Sequence, residues 1–143
     1  MTKEGSPSVV IVGCGRLGAL LAGELSREGA RVVVVDRLEA AFAQLDAGFS
    51  GFRVTGDAVE QRVLRLANLE QADCLMATTE KDTVNLMVAQ VAKTVFAVPR
   101  VLARVYDPAR EEMYRTLGVE TISPTSLSAG EFLRRFAGEG LRS

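Results

Sequence analysis

Val9-Val10-Ile11-Val12 runs directly into Gly13-Cys14-Gly15-Arg16-Leu17-Gly18, and a second apolar run, Val32 to Val35, is closed by Asp36. The first stretch reads as a strand entering a G-x-G-x-x-G loop, with helical periodicity from Leu17 to Arg27 behind it. Asp36 lies about twenty residues on, where the dinucleotide fingerprint carries its acid. A glycine triplet alone is a weak signal. Strand, loop, helix and acid in register are a specific one, and they imply an adenine nucleotide as ligand.

Each residue type in that pattern has a physical task. Gly13 permits the tight turn out of the strand, Gly15 keeps side-chain bulk away from a pyrophosphate, and Gly18 lets the helix pack closely. The helix start offers free N–H groups and the positive end of its dipole to phosphate. Asp36 would accept hydrogen bonds from ribose hydroxyls and repel a 2′-phosphate, which disfavours NADP, although Arg37 beside it softens that objection. The plainer alternative is a glycine-rich turn with Asp36 capping the next helix.

Composition narrows the classes. The chain has 143 residues, 48% of them hydrophobic, enough for one core and too few for a separate substrate domain. Seventeen basic residues face eighteen acidic ones, for a net charge of −1 without a long single-sign run, so nucleic acid is not an expected partner. No apolar run is long enough for membrane insertion, and Met1 to Ser8 lacks a signal-peptide core, so a cytosolic location is expected. Histidine is absent, which counts against hydrolases and metalloenzymes, and no metal site is expected. Cys14 and Cys74 form neither a C-x-x-C pair nor a metal-spaced set. Cys14 stands where a helix N-terminus would lower a thiol pKa, but a small residue filling a crowded turn is the simpler explanation.

Apolar runs alternate with helical patterns along the whole chain. Strands are expected at Val9–Val12, Val32–Val35, Gly51–Thr55, Cys74–Ala77, Val101–Val105 and Val119–Ile122. Helical patterns occupy Leu17–Arg27, Glu39–Asp46, Val59–Asn68, Glu80–Thr94, Pro108–Leu117 and Pro124–Phe136. Such repeats predict a single-domain α/β fold of Rossmann type: a doubly wound parallel six-stranded sheet in the order 3-2-1-4-5-6. Met1 to Ser8 is expected to be a short flexible lead, with the domain spanning 9–143. Gly29 and Gly118 fall where helices end, and Asp107-Pro108 and Ser123-Pro124 place a proline behind a capping side chain.

In this topology a ligand occupies the crevice where strand order reverses. Gly56-Asp57-Ala58, after the third strand, is a candidate for contact with adenine. Asp57-x-x-Glu60 also has the spacing of a capping box. After the fourth strand, Thr78 and Thr79 bring hydroxyls and amides to the same crevice, while Thr79 and Asp82 again have capping-box spacing. Asn85, one turn on, faces either the ligand or the core. Arg16 and Arg104 are candidate phosphate ligands, each equally explained as a surface arginine.

Together these motifs resemble the N-terminal domain of the RCK family, also called KTN or TrkA-N. The resemblance rests on Gly13-Cys14-Gly15-Arg16-Leu17-Gly18, Asp36, Gly56-Asp57-Ala58, Thr79-x-x-Asp82-x-x-Asn85, Ala103-Arg104-Val105-Tyr106-Asp107-Pro108 and Leu117-Gly118-Val119-Glu120. It implies a cytoplasmic regulator of a membrane potassium channel or transporter subunit, binding NAD, NADH, ATP, ADP or AMP and carrying out no catalysis. It also implies a homodimer or higher ring, with the last helix, which carries Phe132, Leu133, Phe136 and Leu141, packed against a neighbour. The family commonly continues into a second, C-terminal ligand domain, whereas this sequence stops at Ser143, as either a natural single-domain form or a fragment would. A nicotinamide-dependent oxidoreductase, or a piece of one, is the competing reading, and a pure assembly module with a vestigial site is a third. The lack of histidine and of a Tyr-x-x-x-Lys pair weighs against the oxidoreductase.

Overall fold

The computed structural model describes residues 5–140. Six strands, β1 (Ser8–Val12), β2 (Arg31–Asp36), β3 (Phe52–Thr55), β4 (Cys74–Ala77), β5 (Arg100–Arg104) and β6 (Glu120–Ile122), form one sheet. All pair in parallel in the order β3-β2-β1-β4-β5-β6, as the glycine loop and its acid predict. The order reverses between β1 and β4, which opens a crevice at the carboxyl ends of those strands.

Five α-helices flank the sheet: α1 (Arg16–Arg27), α2 (Gln61–Leu66), α3 (Asp82–Thr94), α4 (Glu111–Thr116) and α5 (Pro124–Gly140). Alternate residues of each central strand enter opposite faces. Val10, Val12, Leu75, Val101 and Ala103 pack with Leu64, Val88, Ala92 and Tyr114 on one side. Val9, Ile11, Val32 and Val34 pack with Ala19, Ala22, Phe42 and Phe49 on the other. Burial on both faces explains why these strands read as unbroken apolar runs rather than alternating ones.

Several local expectations change. Glu39–Gln44 is a 3₁₀ segment and not an α-helix, closed by an i→i+3 bond from the Leu45 amide to the Phe42 carbonyl; Phe42 is its one buried anchor. The helix expected over Val59–Asn68 shrinks to α2 and ends at a left-handed Asn68, and Pro108–Arg110 is a 3₁₀ turn ahead of α4. Gly29 and Gly118 do adopt positive φ, and the Asp107 side chain accepts from the Ala109 amide behind Pro108. Ser8 is already paired with Arg31 in β1, so the sheet reaches one residue into the expected lead. Met1 to Glu4 and Leu141 lie outside the described residues.

Candidate functional site

A cavity of about 810 Å³ lies at the reversal of strand order. The expected residues Gly13, Cys14, Gly15, Arg16, Leu17, Asp36, Arg37, Gly56, Asp57, Ala58, Thr78, Thr79 and Arg104 all line it; Gly18 and Asp82 do not.

The glycine loop is built by backbone contact. Gly13 leaves β1 at φ +105, its amide donating to the Val35 carbonyl at 2.8 Å, and a Cβ there would press on the backbone of Thr78 and Thr79. Gly15 is the residue before α1, with no side-chain cap and no acid in the following turn. A Cβ on Gly15 would meet nothing within 4 Å, so the start of a twelve-residue helix opens on free space. A Cβ on Gly18 would stand 1.8 Å from the Gly13 carbonyl oxygen. Gly18 therefore acts behind the wall, letting the helix close on its own loop.

Asp36 ends β2 and bridges the loops on either side of it. One carboxylate oxygen accepts from the Cys14 amide at 2.8 Å and the other from the Leu38 amide at 2.9 Å. The acid thus holds the glycine loop and the following turn, and keeps lone pairs directed to the cavity. Cys14 is buried beneath it. Burial pushes the Cys14 thiol up and the Asp36 carboxylate pushes the same way, which agrees with a small residue filling a crowded turn and not with a thiol activated by the helix N-terminus.

Neither capping box forms. Asp57 accepts from the Val59 amide at 3.1 Å, turning its own loop, while Glu60 pairs with Arg62. Gly56 is required by packing, because a Cβ there would lie 2.7 Å from Val63. Lys81 occupies the cap position of α3 without a side-chain cap. Asp82 instead reaches the loop after β5, accepting from the amides of Tyr106 at 2.8 Å and Asp107 at 3.1 Å. The Asp82 carbonyl accepts the buried Tyr114 hydroxyl at 2.6 Å.

Arg104 is neither ion-paired nor freely solvated. Its Nη2 donates to the carbonyls of Thr78 at 2.6 Å and Thr79 at 3.1 Å, its guanidinium stacks 4.8 Å from the Tyr106 ring centre, and Nε is buried without a partner. The cavity wall carries four cations, Arg16, Arg37, Lys81 and Arg104. Ion pairs among the described residues use other cations throughout. Unpaired cations around an open helix N-terminus make a site for an anion.

A family model described as the TrkA-N domain matches residues 9–124. The chain belongs to the TrkA-N family. It is 41% identical over 132 residues to the Trk system potassium uptake protein TrkA of Streptomyces coelicolor, covering 92% of this chain and 59% of the relative. The chain thus spans well under two thirds of that relative's length. The TrkA-N domain of the inner membrane protein ybaL from Escherichia coli superposes with a TM-score of 0.80 at 20% identity, covering 92% of this chain and 97% of that one. The AMP-bound form of the Shewanella denitrificans Kef C-terminal domain gives 0.75 at 25% identity, covering 87% and 76%.

For this TrkA-N domain, Glu80, Lys81 and Tyr106 are the polar wall residues that the sequence reading did not name as site residues. Tyr106 carried a signal: it is an aromatic two residues beyond Arg104, just past the end of β5, close enough in sequence for its ring to meet the guanidinium. Lys81 lacked one, because a residue before a helix is ordinarily solvated.

Proposed function

We propose that this TrkA-N domain binds a phosphate-bearing adenine nucleotide in the crevice and acts as the nucleotide-responsive part of a potassium uptake or channel system. One observation carries this reading: in a single cavity an uncapped helix start, the Asp36 carboxylate and four unpaired cations converge. The residues present fit such a ligand. The open space before Gly15 admits a phosphate against the backbone, and Arg104, held by the Thr78 and Thr79 carbonyls, lines the same cavity. Asp36 would take the ribose hydroxyls and the Gly56-Asp57-Ala58 turn the adenine, while Arg16, Thr78, Thr79 and Arg104 hold phosphates or a second ribose. Asp82 serves the site indirectly by shaping the loop that carries Tyr106.

The domain is read as a sensor rather than an enzyme. Support comes from the family match, from a relative named a potassium uptake protein, and from a chain without histidine, the commonest general acid or base. Among the described residues no helix is long and apolar enough to cross a membrane, and contact with the membrane would come through a potassium-transporting partner on its cytoplasmic side. Nucleotide would act by favouring one geometry of a homodimer or ring, which requires different affinities for the two geometries.

Thermal unfolding of the chain with AMP, ADP, ATP and NADH tests the reading. A ligand at one hundred times its Kd adds about 2.7 kcal/mol, which raises Tm by several degrees. Asp36→Ala should abolish that shift. If none of the four nucleotides moves Tm at millimolar concentration, the sensor reading is lost.

A further inference from the structure

Asn85 lies in the first turn of α3, fully buried and behind the cavity wall. Its amide is satisfied on both sides. Oδ1 accepts from the Thr79 amide at 3.0 Å and the Thr79 hydroxyl at 2.7 Å, and Nδ2 donates to the carbonyls of Thr79 at 3.0 Å and Arg104 at 2.9 Å. Only a carboxamide side chain can accept and donate in this pattern. The bonds continue outward, because Arg104 Nη2 donates back to Thr78 and Thr79, and the Thr78 hydroxyl bonds the carbonyls of Val12 and Gly13. One polar chain therefore runs from a buried amide through the end of β5 and the loop after β4 to the glycine loop.

This chain fixes the part of the cavity that presents Arg104. Arg104 commits Nη2 to two carbonyls and rests its plane on Tyr106, which leaves Nε in one orientation without an acceptor. A guanidinium held in this way meets an anion without first losing rotamer freedom. A buried polar group in a helix that otherwise packs Val88, Ala89 and Ala92 is costly unless it is hydrogen-bonded, and a fully satisfied one rigidifies the segments it joins.

We propose that Asn85 is the positioning residue of the phosphate end of the site: touching no ligand, it sets the affinity for phosphates by locking Thr79 and Arg104 in register with the glycine loop. The proposal rests on the nucleotide reading above and adds that phosphate affinity and nucleoside affinity are separately controlled.

The test is the ratio of Kd values for ADP and adenosine, from NMR titration of the whole chain as wild type, Asn85→Ala and Val88→Ala. Asn85→Ala should weaken ADP about tenfold or more while adenosine changes by no more than about twofold. Val88→Ala removes buried volume from the same helix and should leave the ratio at its wild-type value. Arg104→Ala should reproduce the selective loss, and Asn85→Ala added to it should cost little more, as expected of coupled residues. If Asn85→Ala does not fold, Asn85→Ser, which leaves a smaller void, carries the same expectation. An unchanged ratio, or an equal loss for both ligands, in a folded Asn85 variant overturns the proposal and leaves nucleotide binding intact. Failure of the wild type to bind either ligand removes the nucleotide reading and the proposal with it.

Discussion

Adding one methyl group to Gly15 or to Gly18 probes two different properties of the same loop. At Gly18 the methyl would stand 1.8 Å from the Gly13 carbonyl oxygen, backbone that cannot swing away. Gly18→Ala should therefore cost about 3 kcal/mol of stability, read as a lower denaturant midpoint. At Gly15 the φ of −84 suits any residue and the methyl meets nothing within 4 Å, so Gly15→Ala should stay within about 0.5 kcal/mol of wild type. It would project into the open space at the helix start, and ADP affinity should fall while the midpoint holds. A Gly15→Ala variant that binds ADP as well as wild type would show that phosphate does not approach the loop there. Asp36 likewise has two tasks, since its carboxylate braces two backbone amides as well as facing the cavity. Part of any loss in Asp36→Ala is then loop disorder, and Asp36→Asn, which keeps one acceptor oxygen, should lose less.

Between elements, Asp82 and Tyr114 join the start of α3 to the loop after β5 and to α4. Asp82→Ala should cost about 1–2 kcal/mol and speed hydrogen exchange at the Tyr106 and Asp107 amides, leaving the centre of α3 protected. Equal protection of those amides in the variant would mean that the loop holds itself. The same elements mark what the sequence discloses. Val9–Val12, Cys74–Ala77 and the glycine loop are readable because apolar runs, φ above zero and close backbone approach each demand particular residue types. Asp82 misleads because capping-box spacing is a local rule, whereas its amide partners stand more than twenty residues away. Glu39–Gln44 has helix-forming composition, yet one buried anchor over six residues does not offset the cost of nucleating an α-helix. The crevice residues follow from topology once strand order is known, while the Asn85 and Arg104 contacts depend on three segments meeting in space.

At the scale of the whole molecule, α5 is out of proportion to its contacts. It runs for seventeen residues, yet Leu127, Phe132, Leu133 and Phe136 are 63%, 77%, 68% and 65% exposed. Glu131 bonds both Arg134 and Arg135 on the helix itself, which supports its last turns without covering the apolar residues. On β4, in the interior of the sheet, Cys74 and Met76 are only partly buried, so one face over that strand is thinly covered as well. Isolated helices of this length are marginal in water, and contiguous exposed apolar side chains are uncommon on monomers. Both features are explained if α5 packs on a second copy of the chain, the assembly proposed above. Light scattering should then give a mass above the monomer's 15.3 kDa at tens of micromolar. Replacing Phe132 and Phe136 together by Asp should return the mass to that of the monomer, because two buried aromatics typically dominate such a contact and a desolvated carboxylate opposes it. Since neither side chain touches the sheet core, far-UV circular dichroism of the variant should remain that of the folded domain, with losses confined to α5. A wild-type chain that is monomeric under these conditions would remove assembly through α5, and the nucleotide signal would then need another route to its partner.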